Sequence, residues 1–188
     1  LGALLGVLLE RLRQRRCRQP PPPATQPGGS GDVVRSGSEV RVSAAALEDA
    51  VAACLERAGA PLERARLAAE VLVAADRRGI PSHGVNRAEL YCGELRNGLI
   101  DAGADPRIAS ETASTACVDG QNSLGAVVSK FAMELCIRKA KATGIGLVVC
   151  RRSNHFGIAG YWSQMALREG LIGFAFTNTS PFMVPTRA

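Results

Sequence analysis

Two histidines are the only ones in the 188 residues, and each stands in a short polar stretch beside glycine. His83 lies in Pro81-Ser82-His83-Gly84, and His155 lies in Arg152-Ser153-Asn154-His155-Phe156-Gly157. Histidine exchanges a proton near neutral pH, so either one can serve a reaction that makes or consumes an alkoxide. Arg87 follows the first histidine by one helical turn, and an arginine can grip a carboxylate through two parallel hydrogen bonds. Tyr91, four residues further on, shares its face. A carboxylate clamp, a proton donor and an external hydride source are the parts needed to reduce a 2-oxo acid. Taken one at a time these residues are weak signals, because loop histidines are often structural and exposed arginines are often merely solvated.

The elements that must hold these residues can be taken in order. An apolar run, Ile145 to Cys150, precedes the His155 loop and a helical pattern from Ile158 to Glu169 follows it. The histidine therefore sits where a strand passes into a helix, the usual ligand edge of an α/β layer. Upstream, Leu124 to Thr143 is the clearest helix, with Val127, Val128, Phe131, Leu135 and Cys136 on one stripe and Gly144 as its stop. Arg107 to Val118 alternates as a strand would and ends at Asp119-Gly120, and Leu171 to Phe176 predicts another strand. Ser43 caps a helix bearing Leu47, Val51, Cys54 and Leu55, and a second helix from Leu62 to Arg78 places Leu67, Val71 and Ala74 together. The loop Gly79 to Gly84 then leads into a helix over Asn86 to Arg96.

Composition narrows the class. With 46% hydrophobic residues the chain can bury a core. Residues 1–38 hold six arginines against Glu10 and Asp32, so this stretch carries +4 of the net +6. The remainder is nearly balanced, and its eight aromatic residues (five Phe, two Tyr, one Trp) are too few for the basic-aromatic interleaving that single-stranded nucleic acid requires. Six scattered cysteines without a CxxC pair suggest buried thiols in a reducing compartment, hence the cytoplasm, and neither a metal site nor a disulfide framework. The arginine-rich, acid-poor start is also compatible with a mitochondrial transit peptide. Leu1 to Leu9 is far too short to span a bilayer, and Gln19 to Ser38, with Pro20 to Pro23, predicts a disordered linker. No GxSxG, HExxH or GxxxxGK[ST] occurs, and Gly144-Ile145-Gly146 precedes a strand instead of following one, so a dinucleotide would have to bind by other means.

Three motifs, Ser82-His83-Gly84, Ser153-Asn154-His155-Phe156-Gly157 and Thr177-Asn178-Thr179-Ser180-Pro181, resemble those of the malate/L-lactate dehydrogenase family that lacks a Rossmann fold. Ureidoglycolate dehydrogenase, sulfolactate dehydrogenase, diketogulonate reductase and piperideine-2-carboxylate reductase are members, and the resemblance covers about residues 40 to 188. It implies an α/β fold: a helical N-terminal part (39–104) with the SHG loop, and the start of a mixed-sheet cofactor domain (105–188), after a disordered tail (1–38). It also implies an NAD- or NADP-dependent enzyme interconverting 2-hydroxy and 2-oxo acids, working as a homodimer without nucleic acid or membrane. By resemblance His83 and His155 are the acid/base candidates, with His155 favoured as proton donor and the opposite assignment open. Ser82, Arg87 and Tyr91 match substrate contacts, and Asn178, Thr179 and Ser180 match the stretch that meets the nicotinamide. Family members run to about twice the folded length present here, and most of their cofactor-binding segments follow the position of Ala188. A catalytically inactive form that pairs with full-length subunits is the alternative.

Overall fold

The computed structural model describes residues 3–8, 33–36 and 39–178. Two helices open the folded part, α1 (Ala44–Arg57) and α2 (Leu62–Asp76). Ser43 caps α1 as its sequence predicts, its side chain accepting a hydrogen bond from the Ala46 amide at 3.2 Å. The buried stripes differ in detail from those predicted. Val51 and Leu55 are buried but Cys54 is exposed, and α2 buries Ala65, Ala68, Ala69 and Leu72, whereas Leu67 and Ala74 lie at its margin. Small alanines let the two helices approach closely, so the wider face of α2 is the buried one. Short 3₁₀ turns over Pro81–His83 and Val85–Arg87 then lead into α3 (Ala88–Arg96).

The second part is a sheet with helices on one face. The stretch predicted as one strand is a hairpin, β4 (Arg107–Glu111) and β5 (Thr115–Asp119), because Thr112 and Thr115 close a turn between them through a 2.8 Å side-chain hydrogen bond. The long helix α4 (Gly125–Thr143) carries the chain over to β6 (Ile145–Arg151), which runs parallel to β5. Helix α5 (Ala159–Arg168) and β7 (Ile172–Thr177) follow. Ahead of all these, β1 (Ala3–Leu8) pairs antiparallel with both β6 and β7, giving the order β4-β5-β6-β1-β7. A second small ribbon joins β2 (Val33–Ser36) to β3 (Glu39–Val42). Residues 1–38 were expected to form a disordered tail, and these two pieces differ from that expectation. The proline run lies outside the described residues.

Two glycines set the depth of the layers. A side chain at Gly146 would run into the backbone of Cys136 on α4, and one at Gly173 into the backbone of Ser163 on α5. Both strands thus come close enough for Val118, Val128, Met133, Val148 and Trp162 to fill the space without exposure to solvent. The other face of the sheet is uncovered among the described residues. Ile145, Leu147, Phe174 and Phe176 are exposed there, the last two stacked at 6.1 Å, so β6 is covered on one side only.

Arg64 ties the two parts together. From α2 it donates to the carbonyl oxygens of Ala102 (2.8 Å) and Ala104 (2.5 Å) and pairs with Asp105. No described helix is long and apolar enough to cross a membrane. Leu72 has no exposed surface at the centre of this core, so Leu72→Ala should lower unfolding free energy by about 2–5 kcal/mol, read from urea midpoints.

Candidate active site

The two histidine loops meet. The rings of His83 and His155 lie 5.3 Å apart between centroids, tilted by 33°. They stand 72 positions apart in the sequence, and three local devices bring them together.

The first acts on the His83 loop. Asp76, in the last turn of α2, accepts a hydrogen bond from the Val85 amide at 2.8 Å, and its carboxylate occupies the space that a side chain on Gly84 would need. Glycine in the SHG motif is therefore a packing requirement. Ser82 Oγ lies 2.9 Å from His83 Nδ1, and Arg87 Nε donates to the Ser82 carbonyl at 2.7 Å, leaving its terminal nitrogens without a protein partner among the described residues. The second device acts on the His155 loop. Arg152 takes a left-handed φ of 49° and, with Arg151, pairs with the buried Asp119 at the end of β5, at 2.8 and 3.1 Å. These guanidiniums, with the Gln121 amide, hold the Asp119 carboxyl well below the usual carboxylate range. Asn154 Nδ2 donates to the carbonyls of Asn122 and Ser123, both at 3.0 Å, and Trp162 Nε1 donates to that of Phe156 at 2.8 Å. Gly125, at the start of α4, is covered by the backbone of Asn154 and His155, where no side chain fits.

The third device links the two. Tyr91 on α3 is buried, and its hydroxyl stands 2.6 Å from His155 Nδ1 and 3.2 Å from the His155 carbonyl oxygen. Burial pushes the Tyr91 hydroxyl upward, so it stays protonated. Burial, and then the charges of His83 and Arg87, lower His155 to about 4, so the ligand-free site holds a neutral imidazole at pH 7.

His83, His155, Ser82, Arg87 and Tyr91 are thus one cluster. Asn178 is exposed at the end of β7 and makes no hydrogen bond with the histidine pair among the described residues, while Thr179 and Ser180 lie outside those residues. Asp76, Asp119 and Asn154 are supporting residues that sequence reasoning passed over. Asn154 stands inside the quoted motif, and Asp119 precedes a glycine as a strand-ending acid, but neither pattern names its partner.

In pH terms, the unfolded chain takes up the His155 proton near the ordinary value of 6.5 and the folded chain only near 4. Between these values the unfolded state binds more protons, so stability should fall as pH is lowered through this window, and His155→Asn should remove that part of the slope in urea midpoints. Gly125→Ala should push the His155 loop away from α4 and break the Tyr91 contact, visible as a changed His155 imidazole resonance.

Comparison with known proteins accords with this geometry. Residues 42–188 match the family model for malate/L-lactate dehydrogenase. The chain is 47% identical over 131 residues to an L-sulfolactate dehydrogenase of Methanocaldococcus jannaschii, covering 70% of this chain and 38% of that protein. It is 43% identical over 147 residues to a malate dehydrogenase of Pyrococcus horikoshii, covering 78% and 41%. The solved structure of malate dehydrogenase from Pyrococcus horikoshii OT3 superposes with a TM-score of 0.68 at 40% identity, over 75% of this chain and 39% of that one. The chain spans about two fifths of the length of these curated relatives. It belongs to the malate/L-lactate dehydrogenase family.

Proposed function

We propose that the protein containing this chain is an NAD- or NADP-dependent oxidoreductase that interconverts a malate- or lactate-like 2-hydroxy acid and its 2-oxo acid, working as a homodimer. The observation that carries this reading is the meeting of His83 and His155 beside an arginine whose terminal nitrogens have no protein partner among the described residues. The reduced nicotinamide supplies the hydride when bound. Asn178, exposed at the end of β7, is the described residue of the motif that by resemblance meets the nicotinamide, and the donor and acceptor of its amide would suit a carboxamide. Thr179 and Ser180 follow it in the motif.

In this reading the Arg87 guanidinium binds the substrate carboxylate and Ser82 supports that end of the site. His155 exchanges the proton with the substrate oxygen, and His83 orients the substrate from the opposite side. The depressed His155 proton affinity suits the oxidation direction, where a neutral imidazole accepts a proton. A bound carboxylate raises that affinity, because a nearby negative charge favours the imidazolium, and this supports donation in reduction.

A second reading concerns the 188-residue chain alone, as an inactive module that pairs with full-length family subunits. The bare apolar sheet face at Leu147, Phe174 and Phe176 favours it.

Assay of the full-length protein with NADH or NADPH and a panel of 2-oxo acids tests the first reading. His155→Ala should lower kcat by about 10²–10⁴-fold. Arg87→Ala should lower kcat/KM by about 10- to 150-fold, the worth of a charged hydrogen bond. Unchanged turnover in both His155→Ala and His83→Ala would refute the mechanism. Cofactor titration of the 188-residue chain tests the second reading, and micromolar binding counts against it.

A further inference from the structure

The contacts around His155 determine which of its nitrogens carries the proton. The Gly157 amide points at Nδ1 across 3.4 Å, and an amide N–H can only donate. Nδ1 is therefore an acceptor, and the neutral ring carries its proton on Nε2. The Tyr91 hydroxyl lies within reach of two acceptors, Nδ1 at 2.6 Å and the His155 carbonyl oxygen at 3.2 Å, yet it has one hydrogen to give. No described residue bonds to Nε2, which leaves that nitrogen for a ligand.

We infer that Tyr91 is a positioning residue, a two-position hydrogen-bond switch that lets His155 hold or release a proton at Nε2 without turning its ring. In the first position the Tyr91 hydrogen lies on Nδ1, and the neutral ring presents Nε2–H. In the second, Nδ1 has taken up a proton from solvent, the Tyr91 hydrogen swings to the His155 carbonyl oxygen, and a lone pair on the Tyr91 oxygen accepts Nδ1–H. That second position serves both the imidazolium and the neutral form whose Nε2 is open to accept. In reduction the Nε2–H bond breaks and its proton goes to the substrate oxygen, while Nδ1–H stays with Tyr91; the hydride for the carbonyl carbon would come from the nicotinamide when it is bound. Oxidation runs the same steps backwards.

The inference rests on His155 as the acid/base and gives Tyr91 a role different from the substrate contact implied by resemblance. Burial argues for the change, since only 4% of Tyr91 is exposed and its one polar atom is committed to His155. The charged and titratable neighbours are His83 and Arg87 from the 3₁₀ turns and Glu94 from α3, one of whose carboxylate oxygens is buried without a partner. Asp76, on α2, is occupied by the Val85 amide. The Gly157 amide favours the first position and opposes Nδ1–H, so the ligand-free site rests in the first and the second forms when the ring takes up a proton.

The test uses the chain's two histidines. Long-range ¹H–¹⁵N correlation spectra of the labelled 188-residue chain at pH 7, assigned with His83→Gln, should show neutral His155 with its proton on Nε2. Tyr91→Phe keeps the ring and removes the hydroxyl. The Nδ1 resonance should move toward that of an unbonded nitrogen, and His155 should titrate at lower pH, because the imidazolium loses its acceptor. In the full-length protein the same variant should lower kcat by about 5- to 10-fold, the worth of one hydrogen bond, and shift the pH profile with KM nearly unchanged. A neutral His155 protonated on Nδ1 overturns the inference, as do spectra and titration that superpose on the wild type. A rise in KM alone returns Tyr91 to substrate binding. Because the spectra need no turnover, they stand if the acid/base reading of His155 fails, and the wild-type spectrum alone decides if Tyr91→Phe does not fold.

Discussion

The hydrogen bond from Tyr91 to His155 is the contact on which the site depends. Tyr91 comes from the helical segment after the SHG motif, and His155 from the turn after a sheet strand. A separation of 2.6 Å between their polar atoms leaves little room for movement between these parts, and burial makes the bond costly to lose, since a buried polar atom without a partner is penalised. Arg64 fixes the same two parts at a second place, through Asp105 and the Ser123 hydroxyl. With two such ties the histidine pair is preorganised before any ligand arrives.

Around that contact, glycine and small residues determine distance while charged residues determine direction. Gly84, Gly125 and Gly146 each stand where another chain segment has taken the space of a side chain. Asp119 draws Arg151 and Arg152 to the end of β5, and this starts the left-handed turn that sends the next residues back over α4. The chemical groups themselves, His83, Arg87 and Ser82, remain at least partly open to solvent, as groups that must meet a ligand do.

The sheet behaves differently on its two faces. Its inner face is packed by α4 and α5 around Val148 and Trp162, whereas the outer face carries exposed Leu147, Phe174 and Phe176. Three of the sheet's four strand pairs are antiparallel, an arrangement that commonly leaves one face open to water.

Periodicity and punctuation were enough to locate most elements. Ser43 and Gly144 mark helix ends through local rules, so α1 and α4 lie close to where their sequence predicts. The histidine motifs likewise named candidate acid/base residues, because residue type and short spacing are local properties. Local pattern did not distinguish one strand from a hairpin at Thr112, nor show that Cys54 faces outward, since both depend on what packs against them. Only the tertiary structure joined His83 to His155 and turned Tyr91 toward the imidazole. The physical reason is that the sequence encodes which groups are present and which way a single element faces. Distances between groups seventy residues apart arise from the whole packed core, to which Asp76, Gly125 and Trp162 contribute without forming a motif of their own.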